Sequence, residues 1–277
     1  MTALPIDLRP RLATSDSWLA ADTAREPGES LVRQYLRTLW TAVLADVPPG
    51  LPASDFAVVL VSSQRIAIGV RREPEGSNTV ILTDALLYAV NTYTRAWTAF
   101  DDNSAMPTLV HREREEAARR SALDLAWWYR HTGRTRPASL ILAPEAEGLA
   151  AAHAAVAMIF LLVHEIGHVI AGHLEPAPDV AACLDVAGTH AHEYEADLLA
   201  ASWLAANPPA ATRTGESVRI LFELLELVAA ATPGDEATHP LPMRRLLALL
   251  SALNEMEHDR VLRALTDSPG DFWLLRP

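Results

Sequence analysis

Leu161-Leu162-Val163-His164-Glu165-Ile166-Gly167-His168 sets two imidazoles and a carboxylate at the end of an apolar run that begins at Leu149. A run this apolar reads as a buried core helix. It falls short of the roughly 20 apolar residues that span a bilayer, so no membrane span is expected. Charged and imidazole side chains are rarely buried in such a helix unless they are paired or bound to metal. Residues i and i+4 of a helix share a face, with Cβ atoms roughly 5–6 Å apart, so His164 and His168 can reach one ion. Glu165, beside the first histidine, is placed to hold a water against that ion and act as general base, not as ligand. The bland alternative is a pair of core histidines bonded to carboxylates.

Outward from this helix, the chain reads as α+β. Phe56–Val61, Arg65–Val70 and Thr79–Leu82 are short, rich in β-branched residues and separated by turn residues, which predicts three strands of a small sheet. An amphipathic helix built on Leu31, Leu36, Leu39, Trp40 and Val43 precedes them and ends before Pro48-Pro49. Residues 1–28 show no clear periodicity and are expected to form an arm. After Asp84 the periodicity is helical almost to the end, with helices expected at about 84–100, 112–131, 145–174, 190–206, 215–231 and 241–266. Residues 1–50 are therefore read as an N-terminal arm and helix, and 51–277 as one compact domain.

Bulk composition narrows the function. With 277 residues, half of them apolar, the chain can bury one substantial core. A net charge of −12 argues against a nucleic-acid partner, because phosphate binding relies on clustered Lys and Arg. One cysteine, Cys183, excludes an internal disulfide or a thiolate-rich zinc site, so a metal must be held by His and carboxylates. Prolines and charges interrupt residues 1–9 where an export signal would be apolar, and a cytoplasmic location is expected.

Two histidines do not complete a catalytic zinc site, which has three protein ligands and an open position. Downstream lies His192-Glu193-Tyr194-Glu195-Ala196-Asp197, leading into an apolar helix. Glu193 and Asp197 are i and i+4 and share a face. If Glu193 ligates the metal, Asp197 can accept the free ring N–H of a ligating histidine, a contact typically worth ~10–100-fold in affinity or activity. Glu195 and His192 are alternative third ligands, turned away from that face by helical geometry.

The helix carrying His164, Glu165 and His168, followed by Glu193, Ala196 and Asp197 in an E-x-x-A-D pattern, resembles the gluzincin peptidases. Among these it is similar to the family of the HtpX-type heat-shock protease and the CAAX prenyl endopeptidase. His239-Pro240-Leu241-Pro242-Met243-Arg244-Arg245 resembles that family's H-P-x-x-x-x-R element, and 78–87 its strand leading into a helix. The resemblance covers about residues 56–250. It implies a zincin-like catalytic domain in which Glu193 is the third zinc ligand, Asp197 an outer carboxylate, and His239 or Arg245 the stabiliser of the oxyanion. It further implies a polypeptide substrate, held extended along an edge strand. Many family members carry transmembrane helices and this chain shows none, so membrane quality control and prenyl-protein processing are not carried over.

The resulting expectation is a soluble zinc endopeptidase with one catalytic Zn2+, in which Glu165 takes the proton of the attacking water. Its rivals are a zinc hydrolase or biosynthetic enzyme acting on a small molecule, and a zinc-containing regulatory protein that has no need of Glu165. Manganese, iron, cobalt or nickel could replace zinc on such a donor set. His173 misses the third-histidine register of the longer metzincin motif and reads as a helix-end or substrate-side residue. His190 reads as solvated, Trp127-Trp128-Tyr129 as core or interface anchors, and the alternating charges of 112–120 as a solvated helix face.

Overall fold

The computed structural model describes residues 17–20, 31–45, 56–61, 63–101, 108–132, 140–174, 190–206, 214–231 and 240–253. Among them are four strands, β1 Ser17–Ala20, β2 Phe56–Val61, β3 Ile68–Arg72 and β4 Asn78–Thr83. Seven helices accompany them: α1 Leu31–Ala45, α2 Asp84–Asp101, α3 Thr108–Thr132, α4 Pro144–Ile170, α5 His190–Ala206, α6 Thr214–Ala231 and α7 Pro242–Leu253. The chain is α+β, a small sheet followed by helices. Cys183, His239 and the expected helical segment beyond Leu253 lie outside the described residues.

The chain groups into two compact units, Met1–Leu86 with Met158–Trp203, and Leu87–Ala157 with Leu204–Pro277. In the first, the sheet has the order β1-β2-β4-β3. β2 and β4 run parallel, with Val58 opposite Val80 and Leu60 opposite Leu82, while β1 and β3 pair antiparallel on the outside. Burial follows position. Every residue of β4 and all but the last of β2 are buried, as suits central strands covered on both faces, whereas β3 alternates like an edge. Trp40 of α1 meets Phe56 edge to face at 6.4 Å, extending this core to α1.

Two differences from the sequence expectation have local causes. Strand β1 was not anticipated, since its four residues, Ser-Trp-Leu-Ala, are too few to show a period. Strand β3 begins at Ile68 instead of Arg65, because the Thr83 side chain engages the preceding turn. Thr83 Oγ1 donates to the Arg65 carbonyl at 2.6 Å and accepts from the Ala67 N–H at 3.2 Å. The same hydroxyl accepts from Leu86 N–H at 3.3 Å. Thr83 is thus both the last residue of β4 and the N-cap of α2, and strand passes into helix without a loop.

In the second unit, α6 packs against both α3 and α7, and Ala118, Ala122, Phe222 and Leu246 of these helices are buried. Arg95 reaches from α2 to Glu147 of α4, with Nη1 donating to Oε2 at 2.7 Å, and also donates to the Leu140 carbonyl. Helix α4 is long and apolar enough to cross a membrane by length and composition, having a mean hydropathy of 1.9 in its most apolar window. The run from Leu149 to Val163 underestimated it, because the helix extends at both ends. Protein covers 67% of that window, which is how a core helix satisfies the same criterion.

Candidate metal centre

Within the first unit, α4 supplies His164 and His168 and α5 supplies Glu193 and Asp197. The two helices approach closely where Gly167 faces Ala196. A Cβ built on Gly167 would stand 3.2 Å from the Ala196 Cα and 3.3 Å from its carbonyl oxygen. This glycine is the contribution that sequence reasoning passed over. Its signal is a helix-disfavouring residue inside a strongly helical run, which usually has a packing reason.

The close approach brings three donors into a triangle. His164 Nε2 and His168 Nε2 are 3.1 Å apart, and the Glu193 carboxylate oxygens lie 3.6 Å from the first and 3.5 Å from the second. Donors held roughly 2.0–2.2 Å from a tetrahedral zinc stand about 3.3–3.6 Å from one another, so the triangle, with edges of 3.1, 3.5 and 3.6 Å, is close to the dimensions of a metal cradle. His164, His168 and Glu193 are the group among the described residues that could hold a metal ion. Burial strengthens the fit, since His164 is 5% and Glu193 4% exposed. Lone pairs converging at such depth are costly unless a cation or protons lie between them.

Around the triangle, the Asp197 Oδ1 lies 3.0 Å from His164 Nδ1, where the sequence placed an outer carboxylate. Asp197 is almost fully buried. The Phe160 ring, one turn before His164, lies nearly parallel to its imidazole with centroids 6.4 Å apart. Glu165 is also buried. On the other side, His168 Nδ1 meets His173 Nδ1 at 3.1 Å, and His173 Nε2 meets Glu195 Oε2 at 3.1 Å. His192 stacks on His173 with centroids 3.9 Å apart and planes at 9°. The alternative third ligands, Glu195 and His192, thus gather at His173, while Glu193 joins the two imidazoles. His190 is exposed.

Of the two candidates for oxyanion stabilisation, Arg245 is buried in the second unit at the start of α7, its guanidinium carbon 5.6 Å from the centre of the Phe222 ring. His239 falls outside the described residues.

Comparison with protein families bears on the same stretch of chain. The family Peptidase U49 matches residues 82–265, two-thirds of the sequence and the whole of the triangle. The chain belongs to this peptidase family. Membership carries a hydrolase acting on polypeptide; it carries neither a metal nor the narrower gluzincin assignment. No curated protein and no solved structure matches the chain.

Proposed function

We propose that the chain is a zinc-dependent endopeptidase of gluzincin type, with His164, His168 and Glu193 as ligands. The donor triangle carries the reading, because buried His164 and Glu193 and the partly buried His168 converge at separations close to a tetrahedral edge in a chain whose family is a peptidase. Zinc in that cradle would polarise a scissile carbonyl and render water more acidic.

The remaining chemistry belongs to the side chains. Glu165, as carboxylate, accepts a proton from the attacking water and delivers it to the leaving amine, so that one residue acts as base and then as acid. Asp197 holds the His164 ring so that Nε2 faces the triangle. His239 or Arg245 is assigned to the developing oxyanion on the strength of the H-P-x-x-x-x-R resemblance. Donors aimed at such charge commonly contribute a few kcal/mol to lowering the barrier.

The test is zinc content of purified wild type, Glu193→Ala and Glu165→Gln, with cleavage of an unfolded protein followed in the same samples. Wild type should hold one zinc and cleave. Glu193→Ala should lose both, and Glu165→Gln should keep zinc while turnover falls by ~10²–10⁴-fold. Full activity in Glu165→Gln would exclude its role as base, and zinc retained in Glu193→Ala would move the third ligand elsewhere.

A further inference from the structure

The two ligating histidines are braced differently, and the difference is built by the end of helix α4. After Ile170 the chain turns through Gly172, whose φ of +73° lies in the left-handed region that residues with a Cβ rarely adopt. Gly172 N–H donates to the Val169 carbonyl at 3.2 Å, and His173 N–H donates back to the His168 carbonyl at 2.9 Å. This pair of bonds is a Schellman cap, in which the residue after the left-handed glycine folds over the residue five positions earlier. That place is ordinarily taken by an apolar contact. Here both residues are histidines, and the reversal lays His173 over His168, with the two Nδ1 atoms 3.1 Å apart.

Proton placement around this contact has one solution compatible with the metal reading. A neutral His168 that offers Nε2 as a lone pair carries its hydrogen on Nδ1, which then donates to the His173 Nδ1. His173 in turn carries its hydrogen on Nε2 and donates to Glu195 Oε2, 3.1 Å away. His192 fixes the plane of the ring by stacking on it. The His173 side chain is only 6% exposed and the Glu195 side chain 59% exposed, so the chain of bonds begins at the buried cradle and ends in solvent.

We propose, building on the zinc-peptidase reading above, that His173 is a positioning residue for the metal centre: set over His168 by the Gly172 cap and oriented by Glu195, it fixes His168 in the tautomer and ring orientation that present Nε2 to the ion. His164 receives the same service directly from the buried Asp197. Contacts of this kind are worth about 10–100-fold in metal affinity.

Two variants of the full chain separate positioning from packing. His173→Phe preserves ring volume and the stack on His192 but offers nothing to the His168 Nδ1–H. His173→Asn loses the stack but retains a carbonyl acceptor near the Nδ1 position. Zinc affinity is measured by competition with a chromophoric chelator, alongside the visible spectrum of the cobalt-loaded protein, which reports ligand geometry without reference to turnover. Positioning predicts affinity down by ~10–100-fold in His173→Phe with an altered cobalt spectrum, and affinity within a few-fold of wild type in His173→Asn.

Wild-type affinity in His173→Phe, or an equal loss in both variants, overturns the proposal. Should His173→Phe fail to fold, Glu195→Gln on the exposed carboxylate decides: a several-fold loss of affinity supports the chain of bonds, and unchanged affinity sinks it. His168→Ala separates the layers. Binding abolished there but intact in His173→Phe rejects positioning alone, whereas a wild type that binds neither zinc nor cobalt rejects the metal reading and the positioning role with it.

Discussion

Helix α4 carries two deeply buried histidines whose surroundings differ in kind. His153, 1% exposed, has Nδ1 at 2.8 Å from Ser217 Oγ and meets the Trp97 ring edge to face at 5.5 Å. His164, 5% exposed, faces a second imidazole and two carboxylates. The hydroxyl and the indole beside His153 are both neutral groups. Converging carboxylates and a second lone pair create a concentration of negative potential that calls for a cation. Burial of a histidine in an apolar helix is therefore no mark of a ligand; the charges brought to it from another helix are.

The comparison breaks most visibly if each histidine is removed in turn. A metal that binds only the folded chain stabilises it by ~2.7 kcal/mol when present at 100 times its dissociation constant. Added zinc should therefore raise the melting temperature of wild type and of His153→Ala by similar increments, but leave His164→Ala unmoved. Metal-free His153→Ala should itself be less stable by about 2–4 kcal/mol, through the cavity and the buried Ser217 hydroxyl left behind. A zinc-dependent rise in His164→Ala would show that the triangle is not the binding site.

How much of this was legible follows the range of the interactions. His164, Glu165 and His168 stand out because i,i+4 spacing is a local property of one helix, and Asp197 follows Glu193 by the same rule. That Glu193 rather than Glu195 faces the imidazoles was legible as helical phase. His173 reads as a helix-end residue and does lie at that end, but its placement over His168 was not legible, because it depends on the helix stopping at Ile170, four residues before the sequence expectation, and reversing through Gly172. The glycine two positions past the last helical residue was the available sign, and it was outweighed by an apolar periodicity that continues to Leu174. β1 escaped notice for a different reason: pairing with β2 is non-local, and four residues carry too little pattern to announce it.

An intermediate effect is expected from the partners of the two histidines. Asp197→Asn removes the charge beside His164 while keeping the shape, and should weaken zinc binding on the order of tenfold. Ser217→Ala acts on His153 instead and should lower stability by about 1 kcal/mol without touching zinc affinity. Chelator competition and thermal melts on the same two proteins check both. If Ser217→Ala weakened zinc binding as much as Asp197→Asn, the distinction between a core histidine beside neutral groups and one beside carboxylates would fail.

The smallest effect should come from Gly167→Ala, where two terms oppose. Replacing glycine by alanine within a helix favours the helix by up to ~1 kcal/mol. The new methyl, however, would stand 3.2 Å from Cα and 3.3 Å from the carbonyl oxygen of Ala196, so it presses on backbone that cannot rotate away. Overpacking of this kind costs typically ~1–3 kcal/mol. The two offset in part, leaving a net cost of about 0–2 kcal/mol in the metal-free protein, and they do not offset at the cradle. Ala196 lies between Glu193 and Asp197, so a displacement of α5 by a few tenths of an ångström shifts both carboxylates against imidazoles fixed on α4. Gly167→Ala should therefore melt at or slightly below wild type without metal and bind zinc several-fold more weakly. A raised melting temperature with unchanged affinity would mean that the contact has slack, and that the triangle owes its dimensions to side-chain rotamers rather than to the spacing of the two helices.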